Sequence, residues 1–320
     1  MYSWDSDTSG WYGKADYAYG KKGEAKRAAA AERAKKQGPR SYEKKSAPNE
    51  KIINPTKHIT TSSKNPLIIA IDVTGSMASW PFEIFDRLPL LYNTLSQYRD
   101  DLEICFAAIG DTKVDRWPLQ VTSFANGFDL EQQLGSLFGE GGGGDAAESY
   151  GIFAHWVNTH ITIPNAEEKP FLIVFGDIYM HETTSASEIN HFLGDRLTHD
   201  VNSLQAWKEV SQKWNTWFLR RPTGERGDKV DQQWGDAIGE QKIFHIEDEQ
   251  RAVDYAMGLI ARAWGHFGNF QDNMRARQSS DKVDHVSKLV EMICPKCGAP
   301  IPVNADGMFT CKYCGTTLKI

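Results

Sequence analysis

The sequence predicts a doubly wound α/β fold with a mostly parallel central sheet. Three short, continuously apolar segments, LIIAIDV (67–73), LEICFAAIGD (102–111) and FLIVFGD (171–177), have the length and β-branched content of buried strands. Segments with a helical spacing of apolar residues separate them. Strands that are apolar throughout are buried on both faces, and this is typical of parallel sheets covered by helices on both sides.

The remaining elements follow the same alternation. The first strand leads into a helix at 80–98, for which Pro81 and Pro89 predict a late start or a kink. In sheets of this class, ligands bind beyond the carboxyl ends of the strands, where Asp72 and Asp177 stand. Further strands are predicted at 117–124, 216–221 and 242–248, and further helices at 128–138, 146–161, 186–197, 203–214, 229–239 and 249–267.

Length and charge predict one large module with extensions. The chain has 320 residues and a formal net charge of −6, so its overall composition does not favour nucleic-acid binding. No signal peptide or apolar membrane-spanning stretch is evident, and we expect a soluble, cytoplasmic protein of bacterial type. The predicted organisation is a tail (1–64), the α/β domain (65–268), a linker (269–290) and a small C-terminal module (291–320).

The tail differs in composition from the rest of the chain. Residues 14–45 contain eleven Lys and Arg against four Asp and Glu, a local net charge of +7. The preceding residues 2–20 alternate aromatic side chains with Gly, Ser and Asp. Such a composition is typical of a disordered, solvated segment, and one that docks on a partner through its aromatic residues is the alternative.

The segment DVTGSM places three oxygen-bearing side chains, Asp72, Thr74 and Ser76, at every second position after a buried strand. Gly75 allows the loop to curl, so that these oxygens point to a common position. A phosphate loop would need a Lys, whereas a carboxylate with two hydroxyls suits Mg²⁺, Mn²⁺ or Ca²⁺. Taken singly, Asp72 or Ser76 is equally well explained as a helix N-cap.

DVTGSM resembles the D-x-[ST]-x-S signature of the von Willebrand factor A (vWA) domain, whose metal-ion-dependent adhesion site (MIDAS) holds a divalent cation. The resemblance spans about residues 66–268. It implies two further ligands, one from GEGGGGDAAES, where Asp145 takes the place of the usual Thr, and one from VFGDIYMHE, namely Asp177. The implied metal set is Asp72, Thr74, Ser76, Asp145 and Asp177.

The departure at Asp145 affects what the site would bind. Three ionised carboxylates around one Mg²⁺ would leave a net charge of −1, which repels a carboxylate from a partner. We therefore expect either a water-filled site that orders the loops or a partner that offers a neutral or basic group. Glu148 is a candidate for a hydrogen bond to metal-bound water. His181 is expected to be a solvent-exposed loop residue, and a position at the rim of the site is the alternative.

The C-terminal module carries two C-x-x-C pairs, Cys294 with Cys297 and Cys311 with Cys314, each followed by a glycine. Four thiolates at this spacing predict a closed, structural Zn²⁺ site, and the segment resembles a zinc ribbon. Its few basic residues favour contact with protein over nucleic acid. The fifth cysteine, Cys105, is expected to be a small buried hydrophobic residue.

Three classes of function follow from these patterns. The first is a metal-dependent protein–protein interaction adaptor or scaffold, because the resemblance implies members that work beside MoxR-type AAA+ ATPases or in stress and conflict systems. The second is a nucleic-acid-associated protein that uses the basic tail and the ribbon. The third is a metal-dependent hydrolase, which is disfavoured because G-x-S-x-G and H-E-x-x-H motifs are absent from the sequence. We expect no catalytic residues and no enzyme activity.

Overall fold

The computed structural model describes residues 47–77, 79–127, 129–142, 147–222, 227–276, 278, 280–299, 301 and 308–319. The tail up to residue 46 and the predicted metal ligand Asp145 lie outside the described residues.

The strands lie close to the predicted positions, with short additional pairs. They are β1 (Ile59–Thr60), β2 (Pro66–Asp72), β3 (Glu103–Ile109), β4 (Leu119–Val121), β5 (Ile161–Thr162), β6 (Phe171–Gly176), β7 (Thr183–Thr184), β8 (Val201–Asn202), β9 (Asn215–Arg220), β10 (Ile243–His245), β11 (Met308–Thr310) and β12 (Thr317–Lys319).

The helices alternate with the long strands as the sequence predicts. They are α1 (Trp80–Leu95), α2 (Asp129–Leu134), α3 (Tyr150–His160), α4 (Ala186–Leu193), α5 (Ser203–Lys213), α6 (Gly227–Ile238), α7 (Ala252–Ala263), α8 (Phe267–Arg275) and α9 (Ser280–Glu291). Pro81 lies in the first turn of α1, where its missing N–H costs nothing, and the helix continues through Pro89.

The main sheet has the strand order β10-β9-β6-β2-β3-β4. All neighbours are parallel except β4, which runs antiparallel to β3 at one edge. The chain first builds outward from β2 through β3 to β4, and then returns to the other side of β2 to add β6, β9 and β10. The predicted doubly wound fold is confirmed. Its topological switch point lies between β2 and β6.

Each face of the sheet is covered by helices. Leu67, Ile69 and Ile71 of β2 face the core beneath α1 and α7, whereas Ile68 and Ala70 face the core beneath α3, α5 and α6. This alternation explains why β2 is apolar from Pro66 to Ile71, since both of its faces are buried.

Residues 47–64, which the sequence placed in the tail, lie on the α/β domain. The side chain of Ile53 is buried in the core, and Asn54 N–H donates to the carbonyl of Val121 on the edge strand β4 at 3.3 Å. Further along, β1 pairs in parallel with β5. This segment therefore forms a strap across the domain.

Residues 269–290, which the sequence suggested as a linker, lie largely within α8 and α9. Both helices contribute apolar side chains to the core beneath α7, so this stretch packs as part of the domain. The core side chains from α8 and α9 are Phe270, Met274, Val283, Val286 and Val290.

Within the described part of the chain, no helix combines the length and apolar character that a bilayer crossing needs.

Candidate functional site

The loop after β2 places each of its three predicted metal ligands within hydrogen-bonding distance of the next. Asp72 ends β2 and is fully buried, and its Oδ1 accepts hydrogen bonds from the backbone N–H of Thr74 at 2.9 Å and from the Thr74 hydroxyl at 2.6 Å. The Thr74 Oγ1 lies 3.2 Å from Oγ of Ser76, which is exposed to solvent. The three oxygen-bearing side chains therefore form one connected group that opens to the surface at Ser76.

Asp177 joins this group from the neighbouring strand. Because β2 and β6 run parallel with Ile71 opposite Phe175, the residues that follow both strands meet at the same edge of the sheet. The hydroxyl of Ser76 donates to Asp177 Oδ1 at 3.1 Å. Asp72 and Asp177 thus flank the switch point of the sheet, the position where doubly wound folds bind ligands.

Glu148 approaches from the loop that precedes α3. Its backbone N–H donates to the carbonyl of Tyr179 at 3.1 Å, and its own carbonyl accepts from His181 N–H at 3.1 Å. These bonds hold the residue against the segment that follows Asp177. The side chain is 3% exposed, and its Oε2 has no hydrogen-bond partner among the described residues.

Burial raises the pKa of all three carboxyl groups, and the charges of neighbouring carboxylates add to the shift at Asp72 and Glu148. Burial and the charge of Asp177 raise the pKa of Asp72 to about 7. Burial, followed by the charges of Asp72 and Asp111, raises the pKa of Glu148 to about 10. Burial also raises the pKa of Asp177, although its hydrogen bond from Ser76 and the nearby charges of Arg221 and Arg220 oppose this. A bound cation would offset the cost of holding these groups ionised.

The donor set of Asp72, Thr74, Ser76 and Asp177 combines carboxylate and hydroxyl oxygens, which fits a hard divalent cation. Among the described residues, the close group of three or more Cys, His, Asp or Glu ligand atoms is the one formed by cysteines. Gly75 N–H donates to the carbonyl of Gly142 at 2.7 Å, which brings the loop leading to Asp145 beside the DVTGSM loop. Asp145 itself stays a prediction.

Two residues at the site escaped the sequence analysis. Tyr150, in the first turn of α3, donates from its hydroxyl to Asp72 Oδ2 at 2.5 Å, and its pKa is raised well above the usual value by burial and the charge of Asp72. Arg221, just beyond β9, donates from Nη1 to the backbone carbonyl of Ser76. The position of Arg221 at the end of a predicted strand was a usable signal, whereas Tyr150 carried none because its role depends on how α3 packs.

His181 differs from its expected exposure. Its side chain is 18% exposed, and Nε2 lies 3.4 Å from Oδ1 of the fully buried Asp111. That oxygen also accepts from Ser149 Oγ at 3.3 Å and from Lys113 N–H at 3.0 Å. His181 is therefore part of a polar cluster at the end of β3.

The four C-terminal cysteines form a compact cluster. Their Sγ atoms all lie within 4.8 Å of one another, with 3.7 Å between Cys294 and Cys314 and 3.6 Å between Cys297 and Cys311. Tetrahedral zinc with Zn–S bonds of about 2.3 Å requires sulfur separations of about 3.8 Å, so the four thiols fit a structural zinc ion.

The backbone around the cysteines forms two knuckles, and the second of them is the turn between β11 and β12. We name residues 294–299 the first knuckle and residues 311–316 the second knuckle. Gly298 N–H donates to Cys294 O at 2.7 Å and Gly315 N–H to Cys311 O at 2.9 Å. Both glycines have positive φ, of 77° and 72°, which explains the glycine after each C-x-x-C pair. The fifth cysteine is fully buried as expected.

No protein-family model matches the chain, and no curated protein matches it. Solved structures similar to it include the pilus adhesin SpaC from Lactobacillus rhamnosus GG, at 11% identity and a TM-score of 0.46, over 67% of this chain and 32% of that chain. Proximal thread matrix protein 1 from the mussel byssus is similar at 7% identity and a TM-score of 0.43, over 66% of this chain and 49% of that one.

A third similar structure is the VWA domain of SpRpn10, at 11% identity and a TM-score of 0.40. This likeness covers 60% of this chain and 94% of that domain. The chain therefore spans less than half of SpaC and of the byssus protein, but nearly the whole of a VWA domain. The structures similar to this chain thus include a domain of the family that the DVTGSM motif resembles.

Proposed function

We propose that this protein is a metal-dependent protein–protein interaction module that acts as an adaptor or scaffold. The observation that carries the proposal is the hydrogen-bonded group of Asp72, Thr74, Ser76 and Asp177 at the switch point of the sheet. Together with Asp145, these residues would hold Mg²⁺, or Mn²⁺ or Ca²⁺ in its place. The proposal contains no catalytic step.

Burial of the carboxylates supports a resident cation. Asp72 is fully buried and Glu148 is 3% exposed, and ionised carboxylates in such surroundings are costly unless a positive charge is close. A divalent cation at the opening formed by Ser76 would supply that charge. Glu148 interacts with the Thr74 side chain, and its Oε2, which has no hydrogen-bond partner among the described residues, is suited to accept a hydrogen bond from a metal-bound water.

Arg221 changes the expected preference of the site for partner groups. Three ionised Asp around Mg²⁺ carry a net charge of −1, and the guanidinium beside Ser76 offsets it. With the rim close to neutral, an uncharged oxygen from a partner, such as a hydroxyl or a backbone carbonyl, is favoured over a carboxylate. By resemblance, an AAA+ ATPase of the MoxR type is the first partner to test.

The test is an affinity capture with the immobilised full-length chain, compared with the variants Asp72→Asn and Asp272→Asn. Asp272 lies on α8 with its side chain 78% exposed, so this variant controls for the loss of one negative charge. We expect the wild type and Asp272→Asn to retain the same protein in Mg²⁺ and to release it in chelator, while Asp72→Asn fails to retain it. Retention by Asp72→Asn would contradict metal-dependent binding.

Nuclease treatment and an activity measurement separate the alternatives. Capture that disappears with nuclease would favour the nucleic-acid-associated function through the basic tail and the ribbon. Turnover of phosphoester or peptide substrates that requires Mn²⁺ or Mg²⁺, and that is lost in Asp72→Asn, would favour a metal-dependent hydrolase.

A further inference from the structure

The first knuckle is fastened to the α/β domain. Asn215, at the start of β9, donates from Nδ2 to the carbonyl of Pro295 at 3.3 Å, and Lys296 Nζ lies 2.7 Å from Glu168 Oε2. Gly298 is so close to the domain that a Cβ there would lie 1.9 Å from the carbonyl oxygen of Gln241. The lack of a side chain at Gly298 thus allows the ribbon to approach the domain closely, and it also allows the positive φ of the turn.

Lys242 is the centre of this contact. Its Nζ donates to the carbonyl of Lys296 at 2.8 Å and to Asn215 Oδ1 at 2.6 Å, and it lies 4.2 Å from the centroid of the Trp217 ring. The residue is only 7% exposed. A lysine this deeply buried usually has an anionic partner, but these two hydrogen-bond acceptors are neutral.

The cysteine cluster is a source of negative charge at Lys242 when its thiols are ionised. Burial lowers the pKa of the Lys242 ammonium group to about 7 and the charge of Lys169 acts in the same direction, whereas thiolates at Cys297, Cys294 and Cys314 favour the charged form. A zinc ion with four thiolates carries a net charge of −2, and such clusters are stabilised by donors and cations in their surroundings. The ammonium group donates directly to the backbone of the first knuckle, between its two cysteines.

We propose that Lys242 is the counter-ion of the zinc-loaded ribbon, and that zinc binding consequently stabilises the sheet edge formed by β9 and β10. Zinc holds four thiolates beside Lys242, and the same contact fixes the first knuckle against Asn215 and Gln241. Loss of zinc removes the negative cluster and leaves the buried ammonium group with neutral acceptors only. The ribbon is then a structural part of the domain edge, and loss of its zinc lowers the stability of β9 and β10.

The variant experiment measures zinc release from the full-length chain with a chromophoric zinc chelator, with Mg²⁺ kept in excess. Lys242→Met is compared with Lys213→Met, the same substitution at an exposed lysine of α5. We expect Lys242→Met to release zinc about tenfold faster or more, as is usual when a partner of a metal site is lost. Lys213→Met should release it at the wild-type rate. Equal rates for all three proteins would overturn the role of Lys242.

A second measurement uses only the wild type, so it stands even if Lys242→Met does not fold. Hydrogen–deuterium exchange is compared before and after removal of zinc by a zinc-selective chelator. We expect faster exchange in β10 and in residues 215–217 of β9, with unchanged exchange in β3 on the other side of the sheet. Unchanged exchange in β9 and β10 would overturn the coupling between zinc and the domain.

Discussion

The hydroxyl of Tyr150 donates a 2.5 Å hydrogen bond to Oδ2 of Asp72. The other carboxylate oxygen, Oδ1, is held by Thr74, so both oxygens of Asp72 have fixed partners. Gly176 provides the space for this contact, since a Cβ there would lie 2.3 Å from the Tyr150 hydroxyl. The structure therefore orients Asp72 partly through Tyr150, which lies outside the loop that carries the predicted metal ligands.

The first prediction concerns this orienting bond. Tyr150→Phe should weaken Mg²⁺ binding about tenfold, because removal of a group that orients a ligand typically costs 10–100-fold in metal affinity. The measurement is a Mg²⁺ titration followed by calorimetry. Tyr255→Phe is the matched control, since it removes a hydroxyl whose partner, 3.0 Å away, is Nδ1 of His285 on α9. Wild-type affinity in Tyr150→Phe would show that Asp72 needs no such support.

The second prediction is that the effect of Asp72→Asn on the free energy of unfolding depends on whether a divalent cation is present. At pH 8 without divalent cations, Asp72→Asn should raise the free energy of unfolding by about 1–2 kcal/mol, because it removes a buried charge that Asp177 repels. Addition of Mg²⁺ should then stabilise the wild type but not the variant. Urea unfolding with and without Mg²⁺ measures both effects. A variant that is less stable than the wild type without metal, yet stabilised equally by Mg²⁺, would contradict the cation site.

The third prediction concerns acidic pH. His160 is 1% exposed, lies 3.4 Å from Asp195 and stacks on His58 with 4.4 Å between the ring centroids. Burial lowers its pKa, helped by the charges of His58 and His155 and opposed by Asp195. The unfolded chain therefore binds a proton at this residue more readily than the folded chain.

Stability contributed by neutral His160 is thus fully present above the unfolded pKa of about 6.5 and decreases as the pH falls below it. In His160→Gln, the loss of stability between pH 7 and pH 5 should be smaller than in the wild type. Urea unfolding at several pH values measures the two slopes. Identical slopes would mean that His160 is not the group that titrates.

The fourth prediction tests the buried ion pair between α1 and α7. Arg87 Nη2 lies 2.8 Å from Asp254 Oδ1 with both side chains fully buried, and Arg251 Nη1 lies 2.9 Å from the other oxygen. Asp254→Asn should lower the free energy of unfolding by about 3–5 kcal/mol, since it removes a buried negative charge that pairs with two largely buried cations. Asp272→Asn, on the exposed face of α8, should change it by less than about 0.5 kcal/mol. A similar small change in Asp254→Asn would show that water or other groups compensate.

The sequence predicted the central sheet because its strands are buried on both faces, which leaves long apolar runs such as 67–73. It also predicted that Asp72 and Asp177 share an edge, since the ends of parallel strands meet there. The sequence suggested a linker at 269–290 with partly helical character, but the packing of α8 and α9 on α7 was not predicted, because charged residues interrupt their apolar positions. The contacts of Tyr150 and Lys242 join residues distant in sequence, and no local pattern marks them.

The most direct test of the central claim is Mn²⁺ binding to the zinc-loaded protein, followed by electron paramagnetic resonance of the free ion. The account predicts one tightly bound Mn²⁺ per wild-type chain, displaced by Mg²⁺ and absent in Asp72→Asn, while Asp272→Asn binds as the wild type does. Equal binding of Mn²⁺ to wild type and Asp72→Asn, or no binding to either, would contradict a divalent-cation site at the end of β2.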